Sequence, residues 1–198
     1  MNWYYINIGF LPKHCNNEVL AAKCIRELHR FNYKYDTRNI GISFPQWNQE
    51  TVGGTITFVS TNRIELEFII SRQYFKEMNE LKNFQISQVN EVPPNCSFAL
   101  FKRNQSIDKS TAAGQTRTSM RLEKRALARG EIYNPRKLQK DVTVTKHYHS
   151  LAETSSTKQR NFRLNIQMSA SSTMQGCGVF SSYGLSNGDK RFQSVPLI

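Results

Sequence analysis

Acidic residues are scarce in this 198-residue sequence where bases are dense. Residues 96–198 hold six Asp and Glu against seventeen Lys and Arg, a net of +11. Residues 1–95 hold nine against ten, a net of +1. A two-metal nuclease needs several carboxylates to hold its cations, and no carboxylate pair has such a setting here. Neither a GxGxxG nor a P-loop pattern occurs, which argues against a nucleotide-phosphate cradle. No apolar run approaches the roughly 18 residues of a membrane helix. Met1 leads straight into Trp3-Tyr4-Tyr5-Ile6, so no secretory signal is expected. Cys15, Cys24, Cys96 and Cys177 form no CxxC pair and read as reduced thiols of a cytoplasmic protein. His14, His29, His147 and His149 are the only histidines. With Cys15 they match no zinc spacing, and neither metal nor other cofactor is expected.

What is present in abundance is arginine at a four-residue step. Arg117, Arg121, Arg125 and Arg129 lie in the stretch 115–130, with Lys124 beside them and Glu123 as the one acid. On a helix that step advances about 40°, so the guanidinium groups form one stripe about 18 Å long. Leu, Ala, Met, Glu, Lys and Arg favour helix, and Gly130 is a natural stop. A stripe of one sign repels itself unless something negative lies along it. A solvated face is the plain alternative, but such faces mix signs. Phosphate backbones supply the missing charge, and arginine offers them a planar fork of donors.

Periodicity divides the chain. Residues 3–10 alternate as a strand, and Asn16-Asn17-Glu18 caps a helix to about Tyr33, with Leu20, Cys24, Leu28 and Phe31 as its apolar stripe. Strands follow at 40–45 and 55–60, a helix from Ile64 to about Met78, and a strand from Phe84 to Val92, closed by Pro93-Pro94. The order β-α-β-β-α-β predicts a ferredoxin-like (RRM-like) domain over residues 1–94. Residues 95–198 are expected to form a basic α+β RNA-binding half. There, residues 97–103 read as extended, 106–115 as a mobile polar loop, and 135–145 as basic and unassigned. Strands are expected at 147–153, 162–168 and 179–185, with Ser186-Asn187-Gly188 as a turn.

Metal-free chemistry suits RNA, whose 2′-hydroxyl is an internal nucleophile beside the phosphate. A histidine base, a hydroxyl to hold the 2′-oxygen and cations at the phosphate would suffice. His29 sits one step around the helix from the apolar stripe, at the core edge, where a side chain is held yet reaches solvent. On spacing alone a histidine that merely caps the core edge is the better reading of His29, and core residues are the better readings of Tyr183 and Phe162.

Several segments in order resemble the CRISPR repeat-processing endoribonucleases of type I-F systems. They are Leu28-His29, Gly41-Ile-Ser-Phe-Pro45, Arg103-Asn-Gln105, the arginine helix, Phe162-Arg-Leu164 and the stretch from Phe180 through Tyr183 to Gly188. Residues 106–114 and the ending 194–198 are similar to members encoded by Tn-seven-like transposons. The resemblance implies that His29 is the base toward the 2′-hydroxyl and that Tyr183 orients it. It places the 2′-hydroxyl-holding serine at Ser155, with Ser156 and Thr157 as neighbouring candidates. Phe162 stacks under the lowest base pair, and Arg103 with Gln105 reads base edges at the stem foot. Arg117, Arg121, Lys124, Arg125 and Arg129 lie along the hairpin. Lys124 and Ala126 stand where the family pattern has arginine and histidine.

The expected activity is thus cleavage of a CRISPR repeat stem-loop at its base, leaving a 2′,3′-cyclic phosphate and a 5′-hydroxyl. The expected partners are that RNA and its mature guide product, the backbone subunits of a type I-F surveillance complex and a TniQ-type transposition adaptor. Target DNA is met only indirectly, and no membrane is involved. The alternative is a non-catalytic subunit that only holds the hairpin.

Overall fold

The computed structural model describes residues 2–110, 112–134, 147–154, 161–187 and 192–198. They form an α+β protein with two antiparallel sheets. The first half contributes β1 (Tyr4–Phe10), α1 (Asn17–Lys34), β2 (Gly41–Ser43), β3 (Thr55–Ser60), α2 (Arg63–Ile70), α3 (Gln73–Glu80), β4 (Phe84–Ile86) and β5 (Asn90–Glu91). The strands order as β2-β3-β1-β4, with β5 also on β1. This is the split-βαβ arrangement expected from the element order. The second sheet orders as β7-β8-β6-β9, from β6 (Ser97–Arg103), β7 (His149–Thr154), β8 (Asn161–Ser171) and β9 (Val195–Leu197). Helices α4 (Gln105–Ser110) and α5 (Ala112–Ala128) are inserted between β6 and β7.

Local chemistry sets the site-bearing helix. The Asn16 side chain accepts from the Val19 amide at 3.0 Å, satisfying a donor that the first turn leaves open. Glu18 lies in the first turn and Lys34 in the last, both favourable to the helix dipole. Ala21, Cys24, Ile25, Leu28 and Phe31 bury one face. One continuous core cluster runs from that face through Ile42, Phe44 and Phe58 to Phe101, Leu151, Leu164 and Val195 of the second sheet.

Several expected elements are corrected. The single helix from Ile64 divides into α2 and α3, because the Ser71 hydroxyl donates to the Phe68 carbonyl at 2.8 Å and Arg72 turns extended. Such a side-chain bond competes with the helical ladder. The strand 84–92 divides into β4 and β5 at Ser87, whose amide still donates to the Asn7 carbonyl at 2.9 Å while its hydroxyl, not its carbonyl, accepts from the Asn7 amide at 3.0 Å. Residues 106–110 and 112–115 are helical rather than a loop. Asn104 caps α4 by accepting from the Ser106 amide at 2.9 Å, and Ile107, lone in a polar stretch, is buried. Residues 179–185 are a loop with a turn rather than a strand. Strand β9, unforeseen, carries Pro196, which a sheet edge tolerates. Residues 135–145 of the unassigned basic segment lie outside the described residues.

Candidate active site and RNA interface

His29 lies late in α1, half-buried at the core edge, where the step beyond Leu28 places it. Its imidazole stacks on the Tyr183 ring, with centroids 4.3 Å apart and planes 8° from parallel. Residues 154 positions apart meet because segment 180–185 is pinned against α1 and β2. The Phe180 amide donates to the Arg38 carbonyl at 2.7 Å, and the Ile42 amide to the Gly184 carbonyl at 2.9 Å. Asn32, fully buried three residues after His29, donates from Nδ2 to the Ser182 carbonyl at 3.0 Å. The turn closes on itself through Ser181, whose hydroxyl accepts from the Leu185 amide at 3.1 Å. Two glycines make this fit possible. A Cβ at Gly41 would run into the Phe180 ring, and Gly184 holds φ +72° with Leu28, Ile42 and the Ile40 carbonyl closed around it.

A row of side chains continues from the stacked pair. The Phe162 ring, half-buried at the start of β8, meets Tyr183 edge-on at 6.5 Å. The Arg103 guanidinium at the end of β6 lies 5.6 Å from the Phe162 centroid, a cation–π contact. Four separate segments thus bring His29, Tyr183, Phe162 and Arg103 into one chain of contacts. Gln105 opens α4 two residues beyond Arg103 and is exposed. Ser155, with Ser156 and Thr157, lies outside the described residues.

Burial favours the neutral imidazole and lowers the His29 pKa from 6.5. The Ser182 backbone opposes this shift, and the Arg38 cation adds to it. Nδ1 is buried without a hydrogen-bond partner. Burial raises the Tyr183 pKa, against the pull of Arg103 and with the push of Glu153. Tyr183 is therefore a neutral phenol and His29 a neutral base near pH 7.

Three of the four spaced arginines, Arg117, Arg121 and Arg125, stand on one helix as expected, and the fourth does not. Arg117, Arg121, Lys124 and Arg125 are exposed along α5, which packs chiefly on α4. Gly130 takes φ +71° just past the helix. Arg129 lies beyond α5, and its guanidinium reaches Glu131 Oε2 at 2.8 and 3.1 Å. His147 and His149 do different work. His149 Nε2 contacts the Asn48 carbonyl at 2.9 Å and its ring packs edge-on to Trp47. His147 Nε2 lies 3.2 Å from it. Among the described residues, no three His, Cys, Asp or Glu side chains gather as a metal site.

Sequence reasoning missed Asn32 and Glu153. A polar residue three positions after His29 on a buried helix face was the available signal for Asn32. Glu153, the one acid between His147 and Phe162, gave a weaker signal.

A neutral histidine in a row of rings, in an α+β fold that also carries a helix of exposed cations, is an arrangement suited to a nucleic acid. The family model described as CRISPR-associated protein (Cas_Csy4) matches residues 5–197. The chain belongs to that family of CRISPR repeat-processing, RNA-binding endoribonucleases. No curated protein matches the chain. Among the described residues no helix is long and apolar enough to cross a membrane.

Proposed function

We propose that this protein binds a CRISPR repeat stem-loop and cuts it at the stem base by attack of the RNA's own 2′-hydroxyl, without a metal. The stacked His29–Tyr183 pair, with its lowered histidine pKa, is the observation that carries this reading. Nε2 takes the proton from the 2′-oxygen, which then bonds to phosphorus. The P–O5′ bond breaks and the leaving oxygen takes up a proton. The products are a 2′,3′-cyclic phosphate and a 5′-hydroxyl. Tyr183 keeps the ring in plane, and Ser155 or a neighbour holds the 2′-hydroxyl. Phe162 offers a flat face to the last base pair, while Arg103 and Gln105 meet base edges. Arg117, Arg121, Lys124, Arg125 and Arg129 meet phosphates along the stem.

We infer that this labour divides between residues 1–94, which carry His29, and the basic residues 95–198. We further propose that the protein stays on the product hairpin within a type I-F surveillance complex. The similarity of residues 106–114 and 194–198 to transposon-encoded members supports a TniQ-type adaptor as a further partner.

The test uses a cognate repeat RNA in EDTA, beside the same RNA carrying one 2′-deoxy at the cut position. Cleavage of the first, binding without cleavage of the second, and loss of cleavage in His29→Ala are expected. Tight binding with neither RNA cut by the unaltered protein would reduce it to a hairpin-holding subunit.

A further inference from the structure

Two close pairs of opposite character join α1 to β7. His149 Nδ1 lies 3.9 Å from Glu18 Oε1 near the start of both elements. Further on, Arg26 Nε donates to Glu153 Oε2 at 2.9 Å. From Glu18 to Arg26 the helix rises about 12 Å, and from His149 to Glu153 the strand advances about 13 Å. The two elements therefore run side by side in one direction. By the same reckoning His29 and Thr154 both stand about 16–17 Å from that start. The end of β7 comes level with the candidate base.

Glu153 occupies a costly position. Its side chain is 2% exposed, while that of Arg26 is 31% exposed. Oε1 is buried and accepts no hydrogen bond. Burial holds its pKa above the usual carboxylate range, even against the Arg26 hydrogen bond and charge. A buried carboxylate with one oxygen unpaired contributes little to stability, and apolar side chains of similar volume often serve the fold better. What an ion pair supplies instead is direction and distance. Glu153 faces Phe162 across the β7–β8 ladder, and its charge reaches Tyr183. Arg26 stands one helical turn before His29. The pair therefore ties the helix of the base to the hairpin of the stacking ring.

We propose that the Arg26–Glu153 pair is a positioning clamp for RNA cleavage, holding the β7–β8 hairpin in register with the turn of α1 that carries His29. Neither residue touches the reacting atoms. The inference rests on His29 as the base. Its physical need is that a displacement of about 1 Å at a reacting group costs roughly 100-fold in rate.

Glu153→Gln and the double variant Arg26→Met/Glu153→Met test the clamp. In both, single-turnover cleavage at saturating hairpin should fall about 10- to 100-fold, with hairpin affinity within about twofold of the unaltered protein. The double variant should melt at or above the unaltered temperature, because no charge is left buried alone. Amide hydrogen exchange at residues 149–154 and 161–165 of the RNA-bound protein should quicken, with residues 55–60 unchanged. A double variant that melts normally and cleaves at the unaltered rate would overturn the proposal, as would unchanged exchange in the hairpin. If the unaltered protein cuts no hairpin, the catalytic reading falls by itself, and the exchange measurement still decides the clamp.

Discussion

Gly184→Ala probes the contact that delivers Tyr183 to His29. At φ +72° an L residue is strained, which costs about 1–2 kcal/mol. The added Cβ would also lie 2.6 Å from Leu28 Cδ2 and 2.8 Å from Ile42 Cγ2, inside the range that real contacts reach. Both neighbours are fully buried, so relief requires the core or the turn to move, at about 1–3 kcal/mol. The sum is roughly 2–5 kcal/mol, or about 4–20 °C of melting temperature for a chain of this size. Gly130→Ala is the control. Its φ is +71° with nothing within 4 Å of an added methyl carbon, so it carries the conformational cost of about 1–2 kcal/mol alone. Urea unfolding of both variants separates strain from packing. Cleavage adds a second axis, because a turn that shifts to admit the methyl carries Tyr183 off the imidazole. Gly184→Ala should lose about 100-fold in single-turnover rate, while Gly130→Ala keeps its rate. Equal stability losses in the two variants, with cleavage intact in both, would refute the reasoning.

Other consequences are as direct. Because burial lowers the His29 pKa, its NMR titration midpoint in the free protein should fall below 6.5. Cleavage should then persist as pH drops to 6.5 and be lost only as pH falls through the lower folded value; a midpoint above 6.5 would contradict the burial argument. Arg121→Gln and Arg125→Gln should each weaken hairpin binding and flatten the plot of log affinity against log salt by about 0.7–0.9. An unchanged slope would place those side chains off the phosphates. Ser43→Ala removes a buried hydroxyl that donates to the Pro196 carbonyl at 2.6 Å between β2 and β9. It should cost about 1–3 kcal/mol in urea unfolding and leave RNA affinity unchanged.

The first sheet was legible because its elements announce themselves over short spans. Asn16 marks the start of α1, the apolar stripe marks its buried face, and alternation marks β1 and β3. The arginine stripe was legible for the same reason. Where the reading failed, a distant partner had overridden the local pattern. Ile107 turns a polar stretch into a helix by burying itself. Segment 179–185 looks like a strand, yet its amides bond to the Arg38 carbonyl and to its own turn. Pro196 hides an edge strand that pairs with β6 and is tied to β2 by the Ser43 hydroxyl.

By itself the sequence determined the charge division, the helix spacing that lines up the cations, and the placing of His29 at the edge of a core. These follow from residue types and from the fixed geometry of a helix turn. Tertiary structure alone decided that Tyr183 stacks on His29, that Phe162 and Arg103 extend that row, and that Glu153 meets Arg26. Each of those contacts joins residues more than twenty positions apart. Their formation depends on buried shape, on the methyl-free spaces at Gly41 and Gly184, and on hydrogen bonds between loops, none of which leaves a periodic trace along the chain.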